Sequence, residues 1–318
     1  MRVALLEPLG VSEATIRELA APIEAAGHEF AYYDEKTTDA AELARRSAGA
    51  NVVMIANSPY PAEVVRAADA LKMIAVAFTG IDHVGLDACR ERGVTVCNCA
   101  GYSDVSVAEL TVGLAIDVLR KVVEADASAR THGTSAGLVG REISGKTVGI
   151  VGVGHIGCAA GRLFRAFGAR VLGYARHESA AAADAGIEQV SLGQLLAESD
   201  IVSLHVPLND STRGWFDADK ISAMRDGAVL VNCARGAIVD NDALAAALNG
   251  GKLSGAGIDV FDMEPPLPSG YALASAKNCV LTPHVAYLTE EAMQRRAKIE
   301  FGNVESWLAG IPTNVCAL

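Results

Sequence analysis

The chain has 318 residues, of which 51% are hydrophobic and 20% charged, and its formal net charge is −11 at pH 7. This length exceeds that of one typical core and predicts two domains. The acidic balance, with no cluster of Lys and Arg in the sequence, argues against a nucleic acid or an anionic membrane surface as partner, and no uncharged apolar run is long enough to predict a membrane span.

The N-terminus and the cysteines favour a cytoplasmic protein. Glu7 and Pro8 interrupt the first apolar run too early for a signal peptide, so this run is more typical of a strand. The seven cysteines are scattered and form no C-x-x-C pair. We therefore expect reduced thiols and no metal site.

In the first hundred residues, strands and helices alternate, which is typical of an α/β layout with a parallel sheet. The predicted helices include Ser12 to Ala26, with Ser12 as a capping residue, and Pro61 to Ala70. The first strand is followed by E-P-L-G rather than by a phosphate-binding turn, so we expect this unit to serve the substrate side. The predicted strands are Val3 to Leu6, Glu29 to Tyr33, Val52 to Ala56, Met73 to Phe78 and Val94 to Asn98.

A long helical segment follows, from Val105 to Arg130, and carries many small apolar residues. Its pattern fits a core helix, and it fits equally a helix that also contacts a second subunit. The sequence leaves both interpretations open.

The most specific stretch of the chain lies between Ser144 and Gly168. An apolar run from Lys146 to Val153 predicts a strand buried on both faces, and His155 to Phe167 has helical spacing. The glycines between them fall in the order G-x-G-x-x-G, at Gly152, Gly154 and Gly157. In this context they predict a turn that admits a pyrophosphate to a helix N-terminus, the alternative being a glycine turn without a ligand.

The alternation resumes after Arg170 to Tyr174, the next predicted strand. The final predicted helix, Glu290 to Ala309, is expected to return to the N-terminal unit and to make that domain discontinuous. The later strands are predicted at Ile201 to Val206, Ala228 to Asn232, Gly255 to Val260 and Val280 to Thr282, and the later helices at Ser191 to Ser199, Asp217 to Ala223 and Asn241 to Asn249.

Polar side chains with the chemistry of an active site follow three of these strands. Arg235, Glu264 and His284 each come just past a strand end, where open α/β sheets bind ligands. Each alone has an ordinary structural explanation, but together they predict one catalytic site. The turn around Gly80 is ambiguous, because it could offer backbone N–H groups to a small anion or be an ordinary turn. His83 in that turn is expected to be a structural or a surface residue rather than a catalytic one.

The chain resembles the D-isomer-specific 2-hydroxyacid dehydrogenases over nearly its full length. The motifs that carry the resemblance are G-V-G-H-I-G, L-H-V-P-L-N-D-S-T-R, N-C-A-R-G-A-I-V-D, D-V-F-D-M-E-P and T-P-H-V-A, in that order. The resemblance implies two Rossmann-like doubly wound parallel-sheet domains with a cleft between them. Residues 1–100 with 289–318 would form a flavodoxin-like substrate domain, 101–288 would bind the dinucleotide, and the protein would be a homodimer.

The resemblance also assigns roles to residues. It implies that Arg235 binds the substrate, that His284 is the general acid/base and that Glu264 is its acid partner. Thr79, Gly80 and Ile81 would hold the substrate carboxylate through backbone N–H groups, beside Arg235 and His284. The implied cofactor contacts are Gly152, Gly154, His155, Ile156, Gly157, Arg176, His177, His205, Val206, Pro207, Thr212, Cys233, Ala234 and Asp259.

One departure from the family pattern concerns the cofactor. NAD-using members usually carry an acidic residue at the end of the second strand of the dinucleotide domain, where this chain has Ala175 followed by Arg176. An arginine beside the ribose suits a 2′-phosphate, whereas a carboxylate repels it. The sequence therefore predicts a preference for NADP(H), with NAD(H) as the alternative.

The substrate stays open at the level of sequence. We expect a glyoxylate or hydroxypyruvate reductase-like enzyme that acts on the CH–OH group of a small D-2-hydroxy acid. Glu264 argues against formate, because the formate-oxidising relatives carry glutamine there. The alternatives are a compact D-3-phosphoglycerate dehydrogenase, since the chain ends at Leu318 without a regulatory domain, and a non-catalytic NAD(P)-sensing protein similar to the family's corepressors.

Overall fold

The chain divides into two compact units, each built on one parallel sheet. The structure is a computed structural model that describes residues 1–263 and 266–318. Unit 1 comprises Met1–Ser103 and Leu288–Leu318, and unit 2 comprises Asp104–Tyr287. All strand pairs within the two sheets are parallel, so the predicted α/β class with two doubly wound sheets is confirmed.

Unit 1 contains a sheet of five strands in the order β2-β1-β3-β4-β5. The central strands are buried at every position, as expected when helices cover both faces of a parallel sheet. Its elements are β1 (Arg2–Leu5), α1 (Glu13–Ala25), β2 (Glu29–Tyr32), α2 (Ala40–Ser47), β3 (Val52–Ile55), α3 (Ala62–Ala67), β4 (Met73–Val76), α4 (Leu86–Arg92), β5 (Thr95–Cys97) and the C-terminal helix α12 (Glu290–Leu308).

The strand order of unit 1 reverses between β1 and β3, which is where such sheets usually bind a ligand. Here the side chain of Glu7 fills that position. Its carboxylate accepts hydrogen bonds from the backbone N–H groups of Ala56 at 2.7 Å and Ser58 at 3.1 Å, and from the Ser58 hydroxyl at 2.8 Å. A buried carboxylate in this place would repel a phosphate, which agrees with the E-P-L-G sequence after the first strand.

Unit 2 contains a sheet of seven strands in the order β12-β11-β10-β9-β6-β7-β8. Two of its loops each contain one turn of 3-10 helix, at Gly236–Ile238 and Ala272–Ser275. Its other elements are α5 (Asp104–Arg120), α6 (Val122–Arg130), β6 (Thr147–Val151), α7 (His155–Ala166), β7 (Arg170–Tyr174), α8 (Ala180–Asp184), β8 (Glu188–Gln189), α9 (Leu192–Glu198), β9 (Ile201–Leu204), α10 (Ala218–Ala223), β10 (Ala228–Asn232), α11 (Asn241–Asn249), β11 (Leu253–Ile258) and β12 (Cys279–Leu281).

Helix α5 packs closely on this sheet because β11 carries glycines where the helix crosses it. A Cβ atom added to Gly257 would lie 2.8 Å from Cβ of Leu114, and one added to Gly255 would lie 2.4 Å from a methyl group of Val118. Leu114 and Val118 are buried in the core of unit 2. The small residues of β11 therefore determine how near the helix can approach.

The prediction of one helix from Val105 to Arg130 is wrong at a single residue. Lys121 adopts a left-handed conformation, with φ 52° and ψ 46°, and separates α5 from α6. The cause is a segment that returns against the end of α5, where the backbone N–H of Arg141 donates to the carbonyl oxygen of Leu119 at 2.9 Å. Lys121 Nζ in turn donates to the carbonyl oxygen of Gly137 at 2.9 Å. Nothing in the helical periodicity reveals this long-range competition for a helix carbonyl.

Candidate active site

The glycine turn lies between β6 and α7, at the point where the strand order of unit 2 reverses. Gly152 has φ 98°, a conformation that favours glycine. A Cβ at Gly157 would lie 2.0 Å from the carbonyl oxygen of Gly152, so the third glycine is required for helix and strand to approach. A Cβ at Gly154 would meet no heavy atom within 4 Å, which leaves open space beside the start of the helix.

These observations fit a dinucleotide. Gly154 is the N-cap of α7 and has no side chain to occupy the free N–H groups of the first turn, which include those of His155 and Ile156. The imidazole of His155 is largely exposed, and its Nδ1 lies 3.5 Å from a carboxylate oxygen of Asp104. Backbone N–H groups therefore border the open space beside Gly154, where a pyrophosphate would bind.

The neighbouring strand β9 supplies the other wall of this turn. A Cβ at Gly152 would lie 2.6 Å from the carbonyl oxygen of His205, so the two loops are in close contact. Nε2 of His205 lies 2.8 Å from Oγ of Ser203, and desolvation by the surrounding protein lowers the pKa of His205 to about 4. The ring is therefore neutral at physiological pH. Val206 and Pro207 follow, and the hydroxyl of Thr212 closes the loop by donating to the Pro207 carbonyl oxygen at 2.7 Å.

The end of β7 lies beside the glycine turn, since the N–H of Gly152 donates to the carbonyl oxygen of Tyr174 at 2.8 Å. Ala175 comes next and packs against the core, whereas Arg176 and His177 are exposed. Gln189 on β8 contacts this loop through its amide, 3.4 Å from the carbonyl oxygen of His177. Arg176, the cation predicted to select the cofactor, thus lies on the surface in the loop after β7.

Arg235 lies three residues beyond the end of β10 and is half-buried. Its backbone is extended, with φ −147° and ψ 137°, and its guanidinium Nη1 donates to the Ala234 carbonyl oxygen at 2.8 Å. Gly236 follows in tight contact with the backbone of Phe261, where an added Cβ would overlap. Cys233 is buried, and burial raises the pKa of its thiol to about 12, so it is an unreactive thiol.

His284 lies three residues beyond the end of β12, in a left-handed conformation with φ 57°. Its ring packs edge-on against Tyr287, with the ring centroids 5.4 Å apart. A non-glycine residue in this conformation is uncommon and often marks a functional position. The surrounding turn therefore has to be held by other groups.

Asp259 provides that support from the end of β11. Its carboxylate is inaccessible to solvent and accepts hydrogen bonds from the Thr282 hydroxyl at 2.5 Å and from the N–H groups of Val285 and Ala286, each at 2.9 Å. Burial raises the pKa of this carboxyl group, and these hydrogen bonds oppose the rise. The predicted cofactor contact is thus a buried side chain whose oxygens serve the His284 turn.

Strand register places the two catalytic candidates of unit 2 after strands on either side of β11, at the same edge of the sheet. Asn232, Ile258 and Leu281 are paired across β10, β11 and β12, and Arg235 and His284 each lie three residues further on. The carboxyl ends of parallel strands share one edge of a sheet, so both loops emerge there. Glu264, the predicted acid partner, lies outside the described residues.

The predicted carboxylate loop belongs to unit 1. Thr79, Gly80 and Ile81 follow β4, and the side-chain amide of Asn98 donates to the carbonyl oxygen of Thr79 at 2.8 Å. His83 Nε2 lies 2.9 Å from the Ala56 carbonyl oxygen, and its ring packs edge-on against Phe78. These contacts give His83 the structural role that the sequence suggested.

Two residues that support the site were missed by sequence reasoning. Asn232 holds the backbone on either side of Arg235, and Asn98 holds Thr79. The only sequence signal was a polar amide at the end of an apolar strand, in L-V-N and T-V-C-N. Such a residue has to satisfy its amide locally once the strand is buried.

Among residues 1–263 and 266–318, no group of three His, Cys, Asp or Glu side chains is placed to hold a metal ion. In the same part of the chain, no helix combines the length and the apolar character that a membrane crossing requires.

A glycine turn at the switch point of a doubly wound sheet defines a dinucleotide-binding α/β protein. A family model, D-isomer specific 2-hydroxyacid dehydrogenase, NAD binding domain, matches residues 112–286. Glycerate dehydrogenase of Methylorubrum extorquens is 36% identical over 312 residues, which cover 95% of this chain and 95% of that protein. Hydroxypyruvate reductase of Blautia hydrogenotrophica is 31% identical over 302 residues, which cover 92% and 93%.

A solved structure is similar over its whole length. An acyclic imino acid reductase, Bsp5, in complex with NADPH and D-Arg matches with a TM-score of 0.89 at 27% identity and covers 100% of both chains. The chain therefore belongs to the D-isomer specific 2-hydroxyacid dehydrogenase family. It is an oxidoreductase that acts on CH–OH groups with a nicotinamide cofactor.

Proposed function

We propose that this enzyme reduces a small 2-keto acid such as glyoxylate or hydroxypyruvate to the D-2-hydroxy acid, and catalyses the reverse reaction. The observation that carries the proposal is the register of β10, β11 and β12, after which Arg235 and His284 emerge at the same edge of the sheet, on the loops to either side of β11. The names of the two relatives support a three-carbon substrate.

The residue types suit the substrate. A 2-keto acid carries a carboxylate next to a carbonyl group, and the planar guanidinium of Arg235 can donate to both, which orients the acid and polarises the carbonyl. His284 as imidazolium would donate its proton to the carbonyl oxygen, and as neutral imidazole would accept it in the reverse direction. When bound, the nicotinamide supplies or accepts the hydride. Glu264 remains the predicted partner that favours the charged form of His284.

Unit 1 is proposed to supply the remaining contacts to the substrate. The loop from Thr79 to Ile81 would bind the carboxylate through backbone N–H groups. These groups are uncharged, so the loop would bind the substrate without desolvating a charged side chain. Asn98 supports this loop through the Thr79 carbonyl oxygen. Asp259 is proposed to support the His284 turn without touching the substrate, because its side chain is buried and does not reach solvent-accessible ligands.

The cofactor is proposed to be NADPH in preference to NADH. Arg176 is an exposed cation directly after β7, and Ala175 leaves the position of the usual acid uncharged. A guanidinium beside the ribose would attract a 2′-phosphate. His177 in the same loop would add a second positive charge when protonated.

The protein is proposed to be a homodimer formed through α6. This helix has nine residues, all within the described part of the chain, and none of its side chains is buried. Isolated helices of this length are marginal in water. Val122 and Val123 expose 42% and 55% of their surface, so a second copy of the chain is the partner that would cover them.

A spectrophotometric panel tests the enzymatic proposal. Oxidation of NADPH and NADH is followed with glyoxylate, hydroxypyruvate, pyruvate, 3-phosphohydroxypyruvate and larger 2-keto acids. Arg235→Ala and His284→Ala should each lower kcat/KM by about 100-fold or more. Arg225→Ala is a matched control, because Arg225 precedes β10 at the opposite edge of the sheet and pairs with Asp200.

Three results would contradict the proposal. Absence of turnover with every acid, while NADPH still binds, would favour the nucleotide-sensing alternative. Full activity of His284→Ala would remove the proposed proton donor. A strong preference for 3-phosphohydroxypyruvate would instead assign the compact phosphoglycerate dehydrogenase activity.

A further inference from the structure

Asn232 is a polar side chain at the end of a strand that is otherwise apolar. It is the last residue of β10 and is 1% exposed. Its Oδ1 accepts a hydrogen bond from the N–H of Ala234 at 3.0 Å, and its Nδ2 donates to the carbonyl oxygen of Arg235 at 3.0 Å. One planar amide therefore bridges the peptide groups before and after the Arg235 side chain.

The backbone of Asn232 is itself hydrogen-bonded within the sheet. The carbonyl oxygen of Asn232 accepts from the N–H of Asp259 at 3.0 Å, which continues the pairing of β10 with β11. The next residue, Gly236, is pressed against the backbone of Phe261 and leaves no room for a side chain. Arg235 thus lies between two anchored positions, and its Cα–Cβ direction follows from them.

An asparagine is suited to this place because it offers one donor and one acceptor on the same rigid group. Aspartate would present a second acceptor to the Arg235 carbonyl oxygen and lose the donated bond. Alanine would leave the Ala234 N–H and the Arg235 carbonyl oxygen without this partner in a buried setting. Loss of the amide would therefore release the loop at the residue that binds the substrate.

We propose that Asn232 is a positioning residue for the reaction, which fixes the Arg235 loop so that the guanidinium meets the 2-keto acid in one orientation. The inference rests on the proposed function of Arg235. A displacement of a substrate-binding group by about 1 Å can cost about 100-fold in rate, so a buried amide that holds the loop of such a group can still control turnover.

A double-mutant cycle tests whether Asn232 acts through Arg235. Asn232→Ala should raise KM for the 2-keto acid and lower kcat/KM by about tenfold or more, with a smaller rise in KM for NADPH, because the amide also holds the Ala234 N–H. In the Arg235→Ala background the same substitution should cost less than about twofold, because the group it positions is already absent. Asn51→Ala is the control, since the Asn51 amide also joins two backbone segments, at the amino end of β3.

Hydrogen exchange of the cofactor-free protein gives a second readout. The Ala234 amide should exchange faster in Asn232→Ala, but keep its protection in Asn232→Asp, which retains the acceptor oxygen. Asn232→Asp should nevertheless lose kcat/KM, because the bond to the Arg235 carbonyl oxygen is gone. If Asn232→Ala fails to fold, the Asp variant carries the kinetic test.

The outcomes separate this inference from the function on which it rests. A loss that is equally large in the Arg235→Ala background, or an equal rise in KM for NADPH, would overturn the positioning role. Unchanged kinetics of both Asn232 variants would also overturn it. An Arg235→Ala variant with full activity would instead refute the proposed function itself.

Discussion

The backbone N–H of His284 donates to the carbonyl oxygen of Asp259 at 2.7 Å, and the Asp259 carboxylate holds the residues on both sides of it. One buried acid therefore fixes a turn in which the proposed proton donor has a left-handed backbone. The backbone geometry of His284 therefore depends on the neighbouring strand β11.

Replacement of this acid by its amide should lower turnover without weakening cofactor binding. In Asp259→Asn, an NH₂ group would replace an oxygen that accepts from Val285 or Ala286, and leave a buried N–H unsatisfied at a cost of about 1–3 kcal/mol. We expect kcat to fall at least about tenfold, because His284 loses its position. Steady-state kinetics and a titration of NADPH fluorescence would measure the two effects.

Asp262→Asn is the control for this experiment, since Asp262 is an exposed acid in the following loop, bonded to the Tyr271 hydroxyl. A weakened affinity for NADPH in Asp259→Asn with unchanged kcat would contradict the supporting role. That result would favour the direct contact with the nicotinamide that the family resemblance implies.

The second glycine of the turn should be needed for the ligand rather than for the fold. Gly154 has φ −78°, and an added Cβ meets no heavy atom within 4 Å. Gly154→Ala should therefore keep the Tm of the parent protein, yet raise the Kd for NADPH by about tenfold, because the methyl group takes space beside the helix N-terminus. Calorimetry and fluorescence titration measure these quantities.

Substitutions of two other glycines serve as comparisons for Gly154→Ala. Gly157→Ala should fail to form the turn, because its Cβ would lie 2.0 Å from the Gly152 carbonyl oxygen. Gly302→Ala, in open space on α12, should change neither Tm nor Kd by much. Unchanged NADPH affinity in Gly154→Ala would show that the pyrophosphate binds elsewhere.

The strands of unit 2 could be predicted because their composition is strong and local. The predicted ranges Arg170 to Tyr174 and Ala228 to Asn232 coincide with β7 and β10, since both are short runs buried on two faces. The predicted capping role of Ser12 is also confirmed, because its hydroxyl accepts from the Thr15 N–H. These signals lie within a few residues of the element they define.

The contacts that shape the site could not be predicted in the same way. Asp259 bonds to Ala286, 27 residues later, and that pairing exists only once β11 and β12 are in register. The break at Lys121 depends on Arg141, which competes for the Leu119 carbonyl oxygen. Periodicity reports the face of an element that is buried, but not the distant group that bonds to its end.

A charge reversal at the end of β7 should change the preference for the cofactor. Arg176→Asp would place a carboxylate where the proposed 2′-phosphate binds and would favour the free hydroxyls of NADH. We expect the ratio of kcat/KM for NADPH to that for NADH to fall by about 100-fold. The variant would lose a charged hydrogen bond to the 2′-phosphate, and its new carboxylate would repel that phosphate. Arg213→Asp, in the loop after β9, is the control. It changes the net charge by the same amount, so a ratio that changes only in Arg176→Asp reflects the position of Arg176. An unchanged ratio would refute the assignment of Arg176.

A single charge on α6 should dissociate the proposed homodimer. Val123 is 55% exposed on a helix that buries nothing against its own chain, and its replacement by Lys would place an ammonium group in an apolar interface. Val123→Lys should therefore elute and sediment as a monomer, whereas Val315→Lys, at 52% exposure in unit 1, should keep the mass of the parent protein. A parent protein that is itself monomeric would refute the proposed interface.

The stability of unit 1 should fall with rising pH because of one buried acid. Glu300 on α12 is inaccessible to solvent, and its burial raises its pKa well above the ordinary value of 4.5, with Glu7 adding to the rise and Arg296 opposing it. Cys99 also faces this group. Above pH 4.5 the unfolded chain releases the proton that the folded chain retains. The free energy of unfolding therefore decreases by up to about 1.4 kcal/mol per pH unit until the folded pKa is reached.

Glu300→Gln removes this titration and should show its effect as a difference that depends on pH. Relative to the parent protein, the Tm of the variant should rise progressively as the pH increases above 4.5, whereas the two proteins should have a similar Tm near pH 4.5. Glu305→Gln, an exposed acid on the same helix, should give a constant difference. A variant that becomes less stable than the parent as the pH rises would mean that Glu300 is ionised in the folded protein and stabilised by Arg296, because only then would the amide remove a favourable charge interaction.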